Sequence, residues 1–198
     1  MSALKTVSKS ITEMMIENHI VDESSRSLYV YSYEKLLEKI CFIVYIFGIG
    51  TLMDCISYSI VFSLVFIPVR SFCGGIHAGT KRKCTVLSAL IPPLVFLASP
   101  YLELLPVELL FSIYILSIVL LILFPCIDHA NKFFSDTRKA QLRSIALKYF
   151  FILTIAYLIL LFFRNRDLIN CLSSCIIMNV VFSMWGRLTL TAPPPKTA

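Results

Sequence analysis

Five apolar blocks, at about 36–69, 85–102, 107–127, 146–163 and 168–185, constrain this chain more than any other feature. A helix crosses a hydrocarbon core of about 30 Å in about 20 residues, rising 1.5 Å per residue. The last four blocks are each close to one crossing in length. The first is too long: from Leu36 to Val69 it would run about 50 Å as one helix, and Gly48, Gly50 and Asp54 interrupt it near its middle. It therefore reads as a hairpin, 36–52 and 55–69, turning near Asp54. Composition agrees, with 58% of residues hydrophobic, 15% charged and a mean hydropathy of +0.82. A soluble domain carries about a quarter charged residues. The expected fold is all-α, a polytopic membrane protein of about six transmembrane helices, with no length to spare in 198 residues for a separate soluble domain.

Residues 1–35 read differently. Lys5, Lys9, Arg26 and Lys35 alternate with Glu13, Glu17, Asp22, Glu23 and Glu34, so no continuous apolar stretch of a secretory signal is present. Leu4, Val7, Ile11 and Met14 (or Met15) recur at spacings of three and four, a helical stripe. A second helix is expected after the cap residues Asp22-Glu23-Ser24-Ser25, with Leu28, Tyr31 and Leu36 on a common side. Such N-terminal amphipathic helices lie in the membrane interface or pack on a partner. The interface is favoured because the next segment enters the bilayer directly. The expected organisation is 1–35 as cytoplasmic or interfacial helices, 36–185 as the multi-span region, and 186–198 as a short cytoplasmic tail. His19 is expected on the surface.

Basic residues orient the spans. Segment 70–83 holds Arg70, Lys81, Arg82 and Lys83, and loop 128–148 holds Lys132, Arg138, Lys139, Arg143 and Lys148, whereas 103–106 has none. Basic loops stay cytoplasmic, so the first two face inside and the third outside. Alternation puts 164–167 outside despite Arg164 and Arg166, and puts both termini inside only if 36–69 crosses twice. The same bias accounts for the net charge of +6 without nucleic acid, for which no motif is present.

Chemistry concentrates in Arg70-Ser71-Phe72-Cys73-Gly74-Gly75-Ile76-His77-Ala78-Gly79-Thr80-Lys81-Arg82-Lys83-Cys84, at a cytoplasmic membrane boundary. Cys84 follows three cations and is expected to open the next helix; both neighbours favour its thiolate. His77 is a natural base for it. On one continuous helix the two would stand about 10.5 Å apart along the axis, so the segment must bend, and its glycines permit that. Two other readings stay open. Cysteines in membrane spans, here Cys41, Cys55, Cys171 and Cys175, are commonly small apolar fillers. A zinc site on Cys73, His77 and Cys84 would need a spacing unlike the standard patterns. A Cys73–Cys84 disulfide does not suit a reducing compartment. His129 beside Asp128 is a weaker acid–base pair, read as structural or solvated. No cofactor or metal is expected.

Arg70, Gly75, His77-Ala78 and Cys84 resemble the signature of the accessory gene regulator B (AgrB) family of membrane cysteine endopeptidases. Pro125, Asp128, Asn131 and Lys132 resemble that family's second loop motif, with Phe133 where the family usually has Pro. The resemblance extends over the length, the basic loops and the hydrophobic profile. It implies a cell-membrane enzyme with its active site on the cytoplasmic side, Cys84 as nucleophile and His77 as its base. It implies cleavage of a short (AgrD-like) autoinducer precursor through an acyl-thioester and closure of a thiolactone quorum-sensing signal. Arg70 and Gly75 would orient the loop or bind substrate, together with Asp128, Asn131 and Lys132. Lys81, Arg82 and Lys83 would attract an acidic precursor tail. A homodimer is implied as well.

A protein of another class, a membrane peptide exporter or interaction protein without proteolytic activity, would use 70–84 only as a hinge. Buried ionisable residues and broken helices mark transporters. Here only Asp54, Pro68, Pro92-Pro93 and Gly48/Gly50 hint at them, and the proline pair could equally open a groove beside Cys84.

Overall fold

The computed structural model describes residues 3–74, 81–124 and 135–191, with side chains placed except at 3, 81–84, 136, 138 and 189–191. Among these residues there are seven α-helices and no strand: α1 (Ala3–Glu17), α2 (Arg26–Leu52), α3 (Ile56–Cys73), α4 (Lys81–Ala98), α5 (Val107–Leu123), α6 (Asp136–Phe162) and α7 (Arg166–Thr191). The chain divides into two compact units, 1–48 and 49–198.

In the first unit α1 folds back on the start of α2. Glu13 pairs with Arg26 at 3.3 Å, and the Tyr33 hydroxyl reaches the Met15 sulfur at 3.0 Å. The stripe expected on α1 is partly turned inward: Leu4, Ile11 and Met15 are half-buried on the side of Ser8 and Thr12. Ser8 and Thr12 are buried, while Val7 and Met14 are 47% and 62% exposed. Small hydroxyl residues allow close approach, and each satisfies its own donor on the carbonyl four residues back, Leu4 and Ser8 respectively. Leu28, Tyr31 and Leu36 are exposed too. Helix α2 starts at Arg26, directly after the anticipated caps, and runs unbroken across position 36. The change from polar to apolar composition there alters what the helix faces, not whether it is helical.

The second unit is built around α7. Of the four helices long and apolar enough to span a bilayer (Ile56–Cys73, Thr85–Leu104, Lys139–Phe162 and Arg166–Leu188), the last is 61% buried and the others 22–39%. Helix α5 is a shorter apolar helix. Asn170, Ser173, Ser174, Asn179 and Ser183 of α7 are all buried. Polar side chains in a membrane helix turn towards protein, because lipid offers them no partner. Helix α3 packs on α7 through Tyr58, Phe62, Val65, Phe66 and Val69, a stripe at spacings of three and four. The opposite surfaces carry Leu64, Leu94, Leu97, Leu116, Phe151, Ile155 and Leu158 exposed, a lipid-facing exterior.

Helix ends fall close to the expected turns. Leu52 ends α2, and the turn through Asp54 brings Gly50 against Ser59; a Cβ on Gly50 would meet the Ser59 hydroxyl oxygen at 1.9 Å. The stretch 136–148, expected as loop, is the first half of α6 instead. Its Arg, Lys, Gln, Ala and Leu are strong helix formers, so the helix extends past its apolar part. Likewise α7 continues beyond 185 to Thr191.

Pro68 interrupts α3 without a free carbonyl being left behind. Proline lacks the N–H that would bond to the carbonyl four residues back, here Leu64. The Tyr149 hydroxyl of α6 donates to that Leu64 carbonyl in its place. The Tyr149 ring also meets Phe72 edge-on at 5.7 Å.

Candidate functional site

The segment with the chemistry starts at the end of α3. Arg70 lies in the last turn, half-buried, its guanidinium carbon 5.0 Å from the Phe182 ring centroid and 5.9 Å from that of Phe66. Both distances lie within cation–π range. Phe66 and Phe182 themselves meet edge-on at 6.4 Å. Cys73 is buried, 2% exposed, which leaves it no access to a substrate. Gly74 then ends the helix: its N–H bonds to the Arg70 carbonyl at 2.9 Å, with φ 75° and ψ −159°. Only glycine adopts that region readily, so the chain turns out of α3 here, as the sequence anticipated for this glycine pair.

The described part of α4 runs from Lys81, so Cys84, expected to open this helix, lies within it instead. Lys81, Arg82 and Lys83 fill the positions before it.

The second motif follows the end of α5. The Phe124 N–H caps α5 on the Leu120 carbonyl at 2.8 Å, and the Phe124 carbonyl accepts from the Ser183 hydroxyl at 3.1 Å. The Arg187 guanidinium lies 5.3 Å from the Phe124 ring. Helix ends that lead into the two motif segments are thus held by adjacent residues of α7, Phe182 and Ser183.

Of the expected site residues, Arg70 is placed with its contacts, and Lys81, Arg82, Lys83 and Cys84 are placed by their backbone. Gly75, His77, Asp128, Asn131 and Lys132 lie outside the described residues, as does His129. Sequence reasoning missed Phe182, Ser183 and Tyr149. A signal existed for two of them: Pro68 requires a donor from elsewhere, and a serine late in an apolar helix needs an acceptor.

These features define an all-helical, polytopic membrane protein with two inter-helical segments leaving from helix ends that share one central helix. The family model of accessory gene regulator B matches residues 8–185, and the chain belongs to that family. No curated protein and no solved structure matches it. Membership supports a role in processing the precursor of a quorum-sensing peptide.

Proposed function

We propose that this protein is a membrane cysteine endopeptidase that cleaves a short autoinducer precursor and promotes closure of its ring. The observation that carries the reading is the family match across both motif segments, with Cys84 in α4 directly behind Lys81, Arg82 and Lys83. His77 takes the proton from the Cys84 thiol. The thiolate attacks the scissile carbonyl, and collapse of the tetrahedral intermediate expels the amine of the C-terminal fragment, protonated by His77. The product is an acyl-thioester on Cys84. A thiol of the precursor then attacks that thioester, forming the thiolactone and returning the Cys84 thiol. Exchange of one thioester for another is nearly balanced in energy, so no activated acid is needed.

The remaining parts of the reading follow from charge and topology. Six crossings put both termini and the 70–84 segment in the cytoplasm, with α1 and the start of α2 lying at the interface. Basic side chains of 81–83 and Lys132 attract the acidic tail of the precursor, with Asp128 and Asn131 in the same loop shaping it. Arg70 and Gly75 orient the active segment, and the protein works as a homodimer.

Co-expression with the precursor peptide encoded beside this chain, read by mass spectrometry, tests the reading. Cys84→Ala should abolish release of the C-terminal fragment while the protein remains in the membrane. Cys84→Ser should trap an ester on the introduced serine. Processing by Cys84→Ala at the wild-type level returns the chain to the exporter or interaction class.

A further inference from the structure

We infer that Phe182 and Ser183 of α7 are positioning residues that hold the end of α3 and the end of α5, from which the two motif segments leave, against one support, an inference that rests on Cys84 being the nucleophile. Consecutive residues of a helix point about 100° apart, so two neighbours on α7 can serve two different helices. Phe182 faces the end of α3, where its ring meets Phe66 and the Arg70 guanidinium. Ser183 faces the end of α5, where its hydroxyl donates to the Phe124 carbonyl. Both are buried, at 5% and 1% exposure, while Val181 and Trp185 on the same stretch are 49% and 53% exposed.

The bond made by Ser183 crosses between helices, unlike those of several other serine and threonine hydroxyls in the spans. Ser71, Ser99, Ser112 and Thr154 each donate to the carbonyl four residues back in their own helix. Ser183 instead reaches a residue 59 positions away, the last one before Pro125. The carbonyls at a helix C-terminus lack an intrahelical donor, so this bond both satisfies and fixes the point from which the second segment leaves. The contact between Phe182 and Arg70 does the same for the first segment. In a reaction requiring base and nucleophile to meet, a displacement of about 1 Å costs about a hundredfold in rate. A shared support on α7 suppresses that displacement.

The test uses the full-length protein in lipid nanodiscs. Alkylation of Cys84 by iodoacetamide is followed against pH by mass spectrometry of its peptide, alongside the steady-state rate of cleavage of added synthetic precursor peptide. Wild type should alkylate with a midpoint below the ordinary thiol value of about 8.5. Phe182→Leu should raise that midpoint and lower kcat about tenfold with KM little changed. Phe182→Tyr, which keeps the ring, should restore both. Ser183→Ala should lower kcat similarly and Ser183→Thr should recover it. This one-atom deletion carries the test if Phe182→Leu fails to fold. Wild-type profiles and cleavage in both Phe182→Leu and Ser183→Ala overturn the inference while leaving the nucleophile intact. An ordinary thiol profile with no cleavage in wild type overturns the reading of Cys84 itself, and the inference with it.

Discussion

Three residues other than glycine carry positive φ among the described residues: His19 at 56°, Asp54 at 53° and Arg164 at 54°. Each closes a helix in the same way. The next N–H reaches back five residues: Ile20 to the Met15 carbonyl at 2.9 Å, Cys55 to Gly50 at 2.7 Å, and Asn165 to Leu160 at 3.0 Å. That is the left-handed cap normally supplied by glycine. Asp and His tolerate the conformation better than most side chains, but Arg164 bears its steric cost of about 1 kcal/mol. Arg164→Gly should therefore stabilise the protein by about 0.5–1 kcal/mol, seen as a rise of about 1–4 °C in the thermal midpoint in detergent. A fall would show that the Arg164 side chain contributes more than its backbone costs. The Asp54 turn was legible because an acidic residue stands alone in an apolar block. Arg164 was not, since nothing in its side chain signals a cap. Its neighbour Asn165 did give a signal, and its side chain accepts from the Leu168 N–H at 3.2 Å at the start of α7.

At the scale of elements, the break in α3 and the tyrosine that repairs it form one device. Pro68 leaves the Leu64 carbonyl without its helical donor, and Tyr149 supplies one from α6. Tyr149→Phe should cost about 1 kcal/mol, the usual net worth of one hydrogen bond, because lipid offers the Leu64 carbonyl no other donor. In a Pro68→Ala background the backbone N–H returns and competes for the same carbonyl. The cost of Tyr149→Phe should then shrink to less than half. Equal costs in the two backgrounds, measured by thermal unfolding of the four variants, would separate the tyrosine from the proline. Helix existence was readable from the apolar blocks, each of which holds a described helix, though four of these helices are long and apolar enough to cross a bilayer where about six crossings were expected. Their extents were not, because hydropathy reports where lipid begins, while helix propensity carries α6 back to Asp136 and α7 on to Thr191. The pairing of Pro68 with Tyr149 spans 81 positions, and only tertiary structure brings such a pair together.

For the whole molecule, the open question is which side each turn faces, and the charges constrain it. The turn at 164–167 carries Arg164 and Arg166, against the bias that otherwise places it outside. Arg166 is engaged structurally: its guanidinium donates to the carbonyls of Leu102, at 3.4 Å, and Leu105. A charge that ties one turn to the next has a structural reason to be there, so the basic runs at 81–83 and 138–148 weigh more in setting orientation. The buried polar face of α7 was foreshadowed by its asparagines and serines, but its place as the central helix emerges only from packing. Cys55, half-exposed in the turn between α2 and α3, reports the orientation directly. Burial, and then the nearby Cys171 and Asp54, raise its thiol above the ordinary value of 9.0. A raised value keeps the thiol protonated at neutral pH, so its reaction with thiol reagents should be slow at pH 7 and climb only as pH rises past 9. In a variant retaining Cys55 as its one cysteine, a membrane-impermeant methanethiosulfonate reagent applied to intact cells at alkaline pH should label it. Labelling only after permeabilisation would put this turn in the cytoplasm. It would reverse α3, carry Arg70 and Cys84 to the outer face, and leave a precursor made inside the cell with no nucleophile to meet.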